Sequence, residues 1–193
     1  AVPESVLFDA QNNILYTSLI NGQPDAADGV GGIAKVSIDG RTINANWVTG
    51  LDAPKGLGRS GNTLYAADLT QIDVIDISAG KLIKRIPISG SVFLNDITVD
   101  AKGVVYVSDT RTGKVHRIEN GNVTMYLENL KGPNGLLAIG DDLYVLASGT
   151  LYKADENKKL TRIAEGMDES TDGVEQVAPG EFLVSCWNGI VYY

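Results

Sequence analysis

The sequence of 193 residues holds one cysteine, one histidine and three phenylalanines, and each scarcity closes off a class of chemistry. Cys186, alone, forms no internal disulfide, so the chain is not a disulfide scaffold and is tied to no redox compartment. With His116 as the single imidazole, a Ser-His-Asp triad has no support, and the nitrogen and sulfur ligands that zinc prefers are lacking. Cys186 has no histidine or run of positive charge beside it and reads as a small buried residue. His116, inside Val115-His116-Arg117, reads as a solvent-facing strand residue. Long apolar runs are missing as well. Residues 104–107 and 135–140 fall far short of the roughly 20 that a membrane helix needs, so no membrane span is expected. Positive charge is in deficit, with 16 Lys and Arg against 24 Asp and Glu and a net charge of -8. Nucleic acid is therefore not an expected partner, and the field favours a metal cation.

Helical periodicity is scarce too. In its place stand 22 glycines and short alternating apolar segments, the pattern of an almost entirely β chain. The clearest segment runs from Leu94 to Asp109: a polar opening at Asn95-Asp96, a short strand through Ile97 and Val99, a turn at Ala101-Lys102-Gly103, and an apolar strand from Val104 to Val107. Its second strand aligns with Leu15-Tyr16-Thr17, Leu64-Tyr65-Ala66, Leu143-Tyr144-Val145 and Phe182-Leu183-Val184. Successive third positions lie 49, 41, 38 and 39 residues apart. A period of about 40 made of short strands is the mark of propeller blades, none of which buries its faces alone.

The blades read as residues 3–53, 54–93, 94–132, 133–170 and an unfinished 171–193. In the first, residues 21–32 form a Gly/Asp loop that accounts for its extra length and serves as a candidate lid, before strands at 33–38 and 45–48. The last blade stops at Tyr193 in mid-course, and Ala1-Val2-Pro3 is too short for a closing strand. The expectation is one all-β propeller domain supplied as a fragment, lacking one outer strand and a further blade, so that the remainder of the same propeller would be a partner. The start at Ala1, without methionine or an apolar leader, fits a processed periplasmic or secreted protein, the cytoplasm being the other reading.

One position recurs at the opening of every blade. Glu4, Lys55, Asn95, Asn134 and Asp172 lie 12, 10, 11, 10 and 11 residues before Tyr16, Tyr65, Tyr106, Tyr144 and Leu183. Because an innermost strand starts at the mouth of a propeller channel, these side chains would share one axial space. Two carboxylates and two carboxamides there make an oxygen-only, doubly anionic set that suits calcium or another hard divalent cation. Lys55 cannot ligate a metal and reads as a rim residue that takes a substrate anion. Each motif alone is also ordinary turn chemistry; the shared register is what speaks for a site. The aligned tyrosines read as packing between blades.

Glu4 in Pro3-Glu4-Ser5, Asn95-Asp96 followed by Asp100 and Gly103, Pro133-Asn134-Gly135-Leu136 and Thr171-Asp172-Gly173 together resemble the ordered motifs of the senescence marker protein (regucalcin), gluconolactonase and luciferin-regenerating enzyme family. The resemblance covers essentially the whole chain. It implies a six-bladed β-propeller, of which this chain supplies about four and a half to five blades, with a calcium-type ion over the channel. It also implies metal contact through Glu4, Asn134 and Asp172, with Asn95 as a fourth ligand or a substrate contact. Two positions depart from the pattern: Phe93 stands where sugar-lactonase members commonly carry an arginine, and Gln176 where the family has an aspartate.

The function expected on these grounds is calcium-dependent hydrolysis of a lactone or similar ester, a small-molecule substrate, at the channel mouth. Asp172 is expected to be both ligand and general base, with Asp96 as the second candidate base. Lys55, Asn95, Arg111 and Trp187 are expected to touch substrate. The alternative is a non-catalytic propeller, a binding or scaffold protein with a structural metal or none.

Overall fold

Strand order follows from the two-residue period of the sequence and from turns that a left-handed residue closes. The computed structural model describes residues 2–193, so Ala1 of the opening tripeptide lies outside them. Among the described residues there are nineteen strands in five antiparallel sheets and no helix. The chain divides into two units, residues 1–94 and 95–193.

The amino-terminal unit holds two four-stranded meanders. The first is β1 (Val2–Asp9), β2 (Ile14–Ile20), β3 (Gly31–Ser37) and β4 (Thr42–Leu51); the second is β5 (Pro54–Ser60), β6 (Thr63–Asp68), β7 (Gln71–Asp76) and β8 (Lys81–Pro87). Their facing sides interdigitate: Tyr16, Ile33 and Val48 of the first sheet pack with Leu57, Leu64, Ala66 and Ile75 of the second. The inserted loop is shorter than the sequence suggests, because Gly31 and Gly32 already belong to β3, and β4 extends well beyond 45–48.

The carboxy-terminal unit holds β9 (Leu94–Val99), β10 (Val105–Asp109), β11 (Lys114–Glu119) and β12 (Asn122–Leu127), then β13 (Pro133–Ile139), β14 (Asp142–Ala147), β15 (Thr150–Ala154) and β16 (Leu160–Ala164). A three-stranded sheet follows, β17 (Thr171–Ala178), β18 (Glu181–Cys186) and β19 (Val191–Tyr192). Five sheets, the last with three strands, match the expected number of blades; a sixth is not among the described residues. Alternation on the second strands builds the core in both directions. Leu143 and Val145 face Val115 and Leu127 of the preceding sheet, while Leu146 packs with Val174 and Val184 of the following one. The aligned tyrosines project to the same side: Tyr144 meets Phe182 with ring centroids 4.9 Å apart, and Tyr106 packs against the cluster shared with β13 and β14.

His116 corrects the sequence reading. It is buried, not solvent-facing, because its ladder partner Val107 is itself wholly buried and a middle strand is covered on both faces. Burial holds its imidazole below the ordinary value against the pull of the Asp109 carboxylate.

Candidate functional site

The recurring position is a kink in the inner strand. In four of the five sheets the ladder between the first and second strands breaks for two residues. Pro3 pairs with Leu19 and Val6 with Thr17; Pro54 with Asp68 and Leu57 with Ala66; Pro133 with Ala147 and Leu136 with Val145; Thr171 with Cys186 and Val174 with Val184. Glu4, Lys55, Asn134 and Asp172 each occupy the first unpaired place, so the sequence register is a geometric one. The bulge leaves a backbone N–H without its ladder partner, and a buried N–H needs one. In the first and fifth sheets a serine on the second strand supplies it, and the third sheet has a serine at the same offset. Ser5 N donates to Ser18 Oγ (2.9 Å), Asp96 N to Ser108 Oγ (2.9 Å) and Gly173 N to Ser185 Oγ (3.0 Å). Sequence reading missed these serines, although Tyr16-Thr17-Ser18, Tyr106-Val107-Ser108 and Leu183-Val184-Ser185 carry them at one offset in alternate blades.

Glu4 and Lys55 belong to the amino-terminal unit, and the other candidates to the carboxy-terminal one. Within the latter, polar side chains from three successive sheets join. Asn134 Nδ2 donates to Asp172 Oδ1 at 2.9 Å. Asn95 Nδ2 donates to Thr110 Oγ1 at 3.1 Å, and that hydroxyl donates to the Pro133 carbonyl at 2.8 Å, one residue before Asn134. Thr110, which sequence reading passed over, thus links the opening of β9 to the kink at Asn134. Asn95 and Asn134 are buried and Asp172 half-buried. The close approach depends on Gly135, where a Cβ would lie 2.4 Å from the Asp172 carbonyl oxygen.

Asp96 is turned inward. Its Oδ2 accepts the Leu136 N–H at 2.7 Å and its Oδ1 the Ile97 N–H at 2.9 Å, so the carboxyl ties β9 to β13. Burial pushes it up to about 7; the two N–H groups act against that rise, and the Asp172 and Glu175 charges add to it. Lys55 also departs from expectation. It is not a rim residue but almost wholly buried, with Nζ donating to the Ala53 carbonyl at 3.0 Å and standing 4.3 Å from the Phe93 ring centroid. Phe93, the departure from the family's arginine, therefore forms a cation–π partner within its own unit. Arg111, on the turn after β10, and Trp187, after β18, are exposed.

Among the described residues no three His, Cys, Asp or Glu side chains gather closely enough to hold a metal. Any cation site here accordingly depends on carboxamides. Asn134 gives its amide nitrogen to Asp172 Oδ1, and the remaining oxygens of the two side chains are donors of the hard kind that calcium takes. Among the described residues no helix is long and apolar enough to cross a membrane.

No protein-family model and no curated protein matches the sequence. Solved structures do match the fold. A chain of a nidogen/laminin complex is similar over 97% of this chain and 73% of its own, with 19% identity and a TM-score of 0.78. Virginiamycin B lyase from Staphylococcus aureus is similar over 95% of this chain and 62% of its own, with 17% identity and a TM-score of 0.70. An auxiliary nutrient binding protein from Bacteroides ovatus is similar over 93% of this chain and 55% of its own, with 13% identity and a TM-score of 0.72. The chain thus spans less than two thirds of the latter two. At such identities the likeness shows the β-propeller fold alone.

Proposed function

We propose that this chain is part of a β-propeller hydrolase that uses calcium, or another hard divalent cation, to open a lactone or similar ester. The observation that carries the reading is the polar chain from Asn95 through Thr110 to the Pro133 carbonyl, with Asn134 bonded to Asp172 next to it. In support of it, carboxamide or carboxylate side chains open the inner strands of three successive sheets, which turn formation alone does not require. In this reading Asn134 and Asp172 form the ligand core, with Asn95 as a further oxygen donor from the same carboxy-terminal unit. The ion supplies Lewis acidity toward a carbonyl oxygen when bound. Asp172, held in orientation by the Asn134 amide, accepts the proton of the attacking water at Oδ2. Asp96 is a positioning group, since both its oxygens take backbone N–H groups. Arg111 and Trp187 are the proposed substrate contacts, and Lys55 leaves that set because its ammonium is buried. Further chain of the same propeller is the proposed partner that completes the fifth sheet, which has three strands where the others have four.

A non-catalytic binding propeller is the second reading, favoured by the internal engagement of Asp96 and Lys55. A panel of small lactones and aryl esters, assayed with calcium and with chelator, separates the two. The hydrolase reading expects calcium-dependent turnover that falls on the order of 100-fold or more in Asp172→Ala. No turnover under either condition would leave the binding propeller.

A further inference from the structure

A polar cavity of about 410 Å³ opens in the carboxy-terminal unit, at the ends of β9 and β13 remote from Asn95 and Asn134. That size lies within the range of small-molecule sites, roughly 300–1,000 Å³. Its aromatic side is made by Tyr106 and Tyr126, both half-buried and set edge to face with ring centroids 5.0 Å apart. Charges of both signs surround the pair, and their partners decide what the space can take. Two of the three lining cations are engaged: Lys102 Nζ meets Asp141 Oδ1 at 2.7 Å, and Arg117 Nη1 meets Glu119 Oε2 at 2.9 Å. The third, Lys158, projects from the exposed turn between β15 and β16 and holds its ammonium 5.0 Å from the Tyr126 ring centroid. Without Lys158 the lining keeps four carboxylates against two cations, beside an uncovered aromatic face; Asp141 is taken by Lys102 and Asp142 Oδ2 by Lys153 Nζ at 3.1 Å, which leaves Asp100 and Glu156 outside any ion pair among the described residues.

An aromatic face attracts a cation through its quadrupole, and nearby carboxylates deepen that preference. We propose that this cavity is a seat for a small organic cation of the alkylammonium class, with Tyr126 as its platform and Glu156 as its countercharge. Lys158 stands in that seat as the protein's own ammonium and is displaced on binding. An anion is disfavoured by the carboxylates, and a neutral polyol gains nothing from the place that Lys158 fills. The seat is independent of the Asn134–Asp172 site, so its failure would leave that reading untouched.

Choline chloride, titrated calorimetrically into the chain at constant ionic strength, is the probe. Lys158→Asn, which suits the left-handed φ of 63° at that position, is expected to bind choline roughly tenfold more tightly than the wild type. Tyr126→Leu is expected to abolish binding, and Tyr126→Phe, which keeps the ring face, to retain it. The proposal is overturned if neither the wild type nor Lys158→Asn binds choline, if Tyr126→Leu and Tyr126→Phe bind alike, or if glucose binds as well as choline.

Discussion

Asp73→Asn is expected to stabilise the amino-terminal unit at pH 8 while leaving it close to wild type near pH 4. Asp73 on β7 and Asp68 on β6 are both fully buried and close enough for the Asp68 charge to act on the Asp73 carboxyl. Asp68 already accepts the Asp52 N–H at 2.8 Å and the Ala53 N–H at 2.7 Å, which anchors the segment entering β5. Asp73 accepts Arg85 Nε from β8 at 3.2 Å through Oδ1, while its Oδ2 is buried without a hydrogen-bond donor. Two carboxyls buried side by side resist carrying two charges, which favours the neutral acid at Asp73. Burial pushes its carboxyl up to about 8, the Asp68 charge adds to the rise, and Arg85 opposes it.

The folded state thus keeps a proton that the unfolded chain releases above its ordinary pKa of about 4. Unfolding then releases a proton, and stability falls as pH rises between those limits. An asparagine is neutral at every pH and still accepts from Arg85, which removes that slope. The gain at pH 8 is on the order of 2–4 kcal/mol, several degrees in Tm. Thermal unfolding of both proteins at pH 4, 6 and 8 checks it. A Tm difference that does not grow with pH, or a variant less stable at pH 8, would show that Asp73 is not protonated in the fold.

Gly135→Ala is expected to destabilise the carboxy-terminal unit and to weaken cation binding together. Besides the Asp172 carbonyl at 2.4 Å, the new Cβ would meet Leu146 Cδ1 at 2.9 Å and Val174 N at 3.2 Å. Two of these three atoms are backbone, so the inner strands of the fourth and fifth sheets must separate, at a cost of about 1–3 kcal/mol. Separation lengthens the Asn134–Asp172 contact that defines the site. Gly173 occupies the equivalent place in the next sheet but would meet only Ser185 Oγ at 3.0 Å, a hydroxyl able to rotate, so Gly173→Ala is the milder change. Denaturant unfolding and calcium titration of both variants test the pairing. Equal losses at the two glycines would refute the packing argument.

How much was legible depends on whether a feature is periodic. Five aligned second strands gave the sheets, and counting back from their middle residues placed Glu4, Lys55, Asn134 and Asp172 at one position, because bulge and turn repeat with the blade. The environment of a charged side chain does not repeat. Lys55 looked like a rim cation by position, yet a nearby Phe93 ring and the Ala53 carbonyl supply a buried place for it. His116 looked solvent-facing by polarity, but a middle strand has no exposed face at that register. Asp96 looked like a base beside Asn95, whereas its carboxyl is taken up by the backbone N–H groups of Leu136 and Ile97. Thr110 and the kink serines carry no charge and only their repeated offset marks them, a signal visible once the bulge is known.

The central claim is that Asn134 and Asp172 hold a hard cation, and a calorimetric calcium titration of the chelator-treated chain beside Asp172→Ala and Asn134→Ala tests it most directly. The account predicts saturable binding by the wild type, loss in Asp172→Ala and marked weakening in Asn134→Ala, with all three proteins folded by circular dichroism. Calcium binding of equal strength in the wild type and Asp172→Ala, or none in a folded wild type, would contradict it.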